Sequence, residues 1–73
     1  MTKKQAMFEV WCWQYSNTNC FNQKLIDLYQ AADGSNKRKL RAAYPEITEA
    51  VEIWANCENP ESLFKEYEIN QGE

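Results

Sequence analysis

The side chains with the most chemical capacity are three cysteines, Cys12, Cys20 and Cys57, and eleven carboxylates, eight of them between Glu46 and Glu73. Histidine is absent. That removes the usual general base, the usual partner of a serine or cysteine nucleophile, and the commonest metal ligand. Paired carboxylates can perform acid–base chemistry unaided, but these glutamates recur at helical spacings that place them on solvated faces. A chain of 73 residues also encloses little volume for a pocket. No catalytic residue is assigned, and the chain is expected to be a non-enzyme. The cysteines lack the close pairing that structural zinc and iron–sulfur sites use, so the sequence implies no metal and no cofactor. Free cysteine is among the most buried residue types, and all three are expected to fill a core.

Three constellations remain that can bind. Trp11 and Trp13 are two apart, and in a helix such residues point about 200° from each other, so one of them must leave the core. With Phe8, Trp11 and Tyr15 turned inward, Ala6, Val10 and Trp13 form an outward apolar patch. Tryptophan often dominates binding energy at interfaces, which makes this patch the candidate protein-binding surface. The alternative is that residues 63–69 fold across Trp13 and cover it. Glu46, Glu49 and Glu52 step along one helix as a slanting acidic stripe, suited to a basic partner surface. Lys37, Arg38, Lys39 and Arg41 cluster in the opposite half. With the preceding helix and Gly34 they sketch a helix-turn-helix, a possible nucleic-acid contact, but Asp33 and Ser35 stand where apolar locking residues belong. Pairing of this cluster with the acidic half is the simpler reading. Residues 1–44 carry a balance of +4 and residues 45–73 one of −7, for a net −3.

The elements that position these groups read as helices. Thr2 and Gln5 form a capping box that opens a helix running to about Tyr15. Residues 16–19 favour a loop. A second helix carries Phe21, Leu25, Leu28 and Ala32 as a stripe flanked by Ile26 and Tyr29, with Gly34 as its stop. Ser35 is expected to cap a short third helix to Tyr44. Pro45 then turns a corner and starts a fourth, whose core face is Ile47, Ala50, Val51, Trp54 and Cys57. Asn59 and Pro60 start a short fifth helix bearing Leu63, Phe64 and Tyr67, and residues 70–73 are expected to fray. The fold class is therefore all-α, one domain over residues 1–73 built as a compact bundle of four to five short helices. The alternative is α+β, with residues 8–15 and 63–69 pairing as a two-stranded ribbon.

The beginning, Met1-Thr2-Lys3-Lys4-Gln5, lacks an apolar export segment, and no stretch is long and apolar enough to span a membrane. With an odd number of cysteines, this places the protein in a reducing cytoplasm. Residues 25–46, with their Asp-Gly-Ser-Asn turn and Ala-Tyr-Pro-Glu corner, resemble short proteins of phages and mobile elements. That resemblance implies action by binding a host factor. The expected function is a small protein-binding module, whose partner is a host factor or a second copy. The alternative is a helical nucleic-acid-binding regulator acting through residues 37–41, and neither a membrane nor a small-molecule substrate is expected as a partner.

Overall fold

Thr2 opens the first helix as its spacing predicts. Its hydroxyl accepts a hydrogen bond from the Gln5 amide at 3.0 Å, while its own amide donates to Gln5 Oε1 at 2.7 Å. The computed structural model describes residues 1–16 and 20–69. The expected loop at 17–19 and the frayed tail at 70–73 lie outside the described residues. The elements are α1 (Lys3–Tyr15), α2 (Phe21–Ala31), α3 (Gly34–Ala43), α4 (Pro45–Asn56) and α5 (Pro60–Glu66). The all-α bundle is the observed architecture. Residues 8–15, half of the alternative ribbon, are helical, and no strand occurs among the described residues.

The junction of α2 and α3 differs from expectation by two residues. Asp33, not Ser35, caps α3, its carboxylate accepting from the Asn36 amide at 2.8 Å. An anionic oxygen is the stronger acceptor at the positive end of a helix, so Asp33 takes the cap and Gly34 becomes the first residue of α3 rather than the stop of α2. Pro45 does start α4 as expected, after Tyr44 leaves helical geometry at φ −134° and ψ 65°. Asn59 caps α5, accepting from the amides of Glu61 and Ser62.

The core joins Ala6, Met7 and Val10 of α1 to Leu25, Ile26 and Tyr29 of α2, Ile47, Ala50 and Val51 of α4, and Leu63 and Phe64 of α5, with Ile69 closing the end. α1 and α4 form the principal helix pair. The small side chains of Ala6 and Ala50 suit such a close approach of two helices. α3 contributes no buried residue and rests on the bundle through half-buried Leu40. On α2 the buried stripe is Leu25, Ile26 and Tyr29, while Phe21 and Leu28 of the expected stripe are exposed. On α4 the expected Ile47, Ala50 and Val51 are buried, with Trp54 and Cys57 partly covered.

Candidate protein-binding face

The orientation of α1 is largely the reverse of the one expected, and of the three rings expected inward only Trp11 packs half-buried against the core. Ala6 and Val10, expected on an outward patch, are 0% exposed, whereas Phe8 and Tyr15, expected inside, are 42% and 46% exposed. Trp13 is half-buried rather than free. Its ring meets Trp54 edge to face with centroids 5.1 Å apart, and its indole N–H donates to Asp27 at 2.8 Å. Trp54 in turn donates to Gln14 at 2.6 Å. Those two bonds explain the choice of face. Burying an indole is favourable only where its N–H finds an acceptor, and with Ala6 and Val10 inward both Trp13 and Trp54 reach one. The expected cover of Trp13 by residues 63–69 is also replaced, since Trp54 of α4 supplies it.

The consequence is an aromatic ridge on the outside of α1. Phe8 and Trp11 stack at 5.8 Å and 16°, Trp11 meets Tyr15 at 5.6 Å, and Tyr15 meets the buried Phe64 ring at 6.1 Å. The ridge is thus continuous with the core, which holds its rings in place at low conformational cost. A groove of about 350 Å³ opens at the N-terminal end of α1, beside Phe8, Gln5, Glu9 and Ile69. Sequence reasoning recognised that α1 has two apolar faces but assigned the small one outward. The signal that separates them is size: Ala6 and Val10 let a second helix come close, and the rings do not.

The two charged constellations are divided by the fold. Of the acidic stripe, Glu46 is exposed, Glu49 lies 3.9 Å from Lys3, and half-buried Glu52 accepts from the Tyr29 hydroxyl at 2.5 Å. Of the basic cluster, Arg41 donates to that same hydroxyl at 3.0 Å, and Lys37 sits 5.5 Å from the centre of the Tyr29 ring. Arg38 and Lys39 remain in solvent. Lys37 and Arg41 therefore join the acidic half through Tyr29, leaving two of four cations on the outer side. Burial, and then the hydrogen bond to Glu52, push the Tyr29 hydroxyl above the usual tyrosine range, with Arg41 opposing.

The core-filler expectation holds in part for Cys57, which packs half-buried against the core, and is corrected for Cys12 and Cys20. Cys20 is exposed as the residue before α2, Cys12 and Cys57 are half-buried, and the Cys57 thiol donates to the Trp54 carbonyl. Cys20 precedes a helix whose first turn offers no side-chain cap bond, and position rather than hydrophobicity decides its exposure. Burial, Glu9 and Cys20 together raise the Cys12 thiol, which makes it a poor nucleophile at neutral pH. Among the described residues, no group of three or more cysteines and carboxylates is placed to hold a metal ion. Also among the described residues, no helix is long and apolar enough to cross a membrane. Comparison of the chain with profiles of known families, with curated proteins and with solved structures finds no match.

Proposed function

We propose that this chain is a small, non-enzymatic protein-binding module whose contact element is the outer face of α1. The observation that carries the reading is the ridge of Phe8, Trp11 and Tyr15. These residues stand at i, i+3 and i+7, the spacing by which an amphipathic helix presents anchors to an apolar groove. Large rings already ordered by stacking lose little further freedom on binding, and aromatic anchors of this kind concentrate binding energy. The resemblance of residues 25–46 to phage and mobile-element proteins supports a host factor among the partners, and free thiols suit a cytoplasmic setting. The nucleic-acid reading gains no support from a basic cluster half of which is engaged with Tyr29.

A photo-reactive phenylalanine analogue at position 8 tests the reading in extracts of the source cell. The expected result is a cross-linked protein whose yield falls at least tenfold when Tyr15→Gln is added. An unchanged pattern with Tyr15→Gln would place the contact elsewhere and overturn the assignment.

A further inference from the structure

We infer that the groove between α2 and α3 is a second docking surface, and that it receives an acidic amphipathic helix of another protein. α2 carries apolar side chains over a wider arc than the bundle covers. Leu25, Ile26 and Tyr29 enter the core, whereas Phe21 and Leu28 are 63% and 57% exposed. Phe21, Lys24, Leu28 and Ala31 follow one another at steps of three, four and three, so they share one outward face of the helix. α3 turns back beside that face. The Tyr44 ring at its end meets Phe21 at 5.9 Å, and Leu40, packed against the core, lines an open groove of about 590 Å³ together with Leu28, Ala31 and Ala32. The apolar strip runs from the Phe21–Tyr44 pair to Ala32, about 16 Å along α2, which seats about three turns of a helix.

Charge names the occupant. Lys3 and Lys4 lie against Glu49 and Glu68, and Lys37 and Arg41 are engaged with Tyr29. Lys24, Arg38 and Lys39, the remaining cations of α2 and α3, make no ion pair or side-chain hydrogen bond among the described residues. Lys24 stands on the outward face of α2 and Lys39 lines the groove, so each of the two helices brings an uncompensated cation to the strip. Asp33, the carboxylate that lines the groove, is already the cap of α3. A helix with apolar residues on one side and carboxylates beside them satisfies both features: its apolar side chains cover Phe21 and Leu28, and its carboxylates meet Lys24 and Lys39. A nucleic acid would bring phosphates but no aliphatic side chains for Leu28 and Leu40. The Phe21 and Tyr44 rings, tilted at 58° to each other, also form no flat platform for bases. An extended peptide finds no strand to pair with among the described residues, whereas a helix satisfies its own backbone. None of these residues belongs to α1, so this surface is independent of the ridge proposed above.

Titration of the whole chain with a helical peptide of about 15 residues, its leucines at i, i+4, i+7 and i+11 and its flanks glutamate, tests this by heteronuclear NMR. The resonances of Leu28, Ala31, Lys39 and Leu40 are expected to move, with a dissociation constant below about 1 mM. Leu28→Glu is expected to weaken binding at least tenfold, and Lys24→Glu with Lys39→Glu severalfold. Lys65→Gln, at an exposed cation of α5, leaves it unchanged. Circular dichroism confirms that each variant is folded, and the exposed lysine pair carries the test if Leu28→Glu is not. A peptide that leaves those resonances unmoved, or binds equally well with lysines in place of its glutamates, overturns the inference. A single-stranded oligonucleotide that displaces the peptide overturns it in favour of nucleic acid, and a dimer of the chain alone that dissociates on Leu28→Glu overturns it in favour of a second copy.

Discussion

Trp13, although partly exposed, joins three helices. Its ring lies edge-on to Trp54 of α4 and its N–H is held by Asp27 of α2. Truncation to alanine removes both and uncovers part of the core against which the ring packs. Trp13→Ala is therefore expected to lower the unfolding free energy by about 3 kcal/mol, measured by urea denaturation. A loss below about 1 kcal/mol would return Trp13 to the role of a surface anchor. At Gly34 the argument runs the other way. This glycine has no positive φ, starts α3, and a methyl added there meets nothing within 4 Å. Gly34→Ala restricts the unfolded chain without straining the folded one, and a gain of about 0.4–1 kcal/mol is expected in the same assay.

α1, α3 and α5 open on a side-chain cap and α4 on a proline, and the end of α5 shows what a terminating device costs. Glu68 sits at φ 61°, in the left-handed region. Its amide donates to the Lys65 carbonyl and the Ile69 amide donates to the Phe64 carbonyl, the paired bonds of a Schellman motif, with Ile69 and Phe64 in the apolar contact that accompanies it. Glycine is the residue suited to that position. Glu68→Gly removes about 1–2 kcal/mol of strain against about 0.5–1 kcal/mol of added chain entropy. The Lys4–Glu68 pair it deletes is 3.9 Å long and solvent-exposed, and such pairs contribute little. The midpoint of thermal unfolding is expected to rise by a few degrees, and a fall would show that the exposed pair outweighs the strain. α3 is bounded as well, by Asp33 and Tyr44, but it buries nothing, so its hold on the bundle depends on the polar cluster at Tyr29 and on Leu40.

At the scale of the whole molecule that cluster couples the two oppositely charged halves. Lys37 and Arg41 come from the basic half, Glu52 from the acidic half, and buried Tyr29 stands between them. Because the folded state holds the Tyr29 proton more tightly than the unfolded chain does, its contribution is fully present below the unfolded tyrosine range. It is lost as pH rises from about 10 through the higher folded value. The raised Cys12 thiol adds a loss of the same sign that begins lower. Stability measured from pH 8 to 11 is expected to fall, and Tyr29→Phe should flatten the upper part of that fall. It should also cost about 1–2 kcal/mol at neutral pH by removing the Glu52 donor. An unchanged slope in Tyr29→Phe would assign the alkaline loss to other groups.

What the residues determined by themselves is local. The capping box at Thr2, the prolines at the starts of α4 and α5, the Asn59 cap and the apolar face of α4 are decided by neighbours within one turn, and the all-helical class follows from them. Even the near miss at Asp33 was a competition between adjacent caps, legible in principle from the greater strength of an anionic acceptor. The candidate site was legible only as a choice. Two apolar faces of α1 are compatible with the same letters, and the smaller size of Ala6 and Val10 ranks them above Phe8 and Tyr15 only when a second helix must come close. Tertiary structure ranked them, because α4 approaches closely only over small side chains and because Asp27 and Gln14, from two different helices, supply the acceptors that let Trp13 and Trp54 be covered. Those terms depend on residues 14 and 40 positions apart, which is why the ridge of Phe8, Trp11 and Tyr15 became visible only once the helices were assembled.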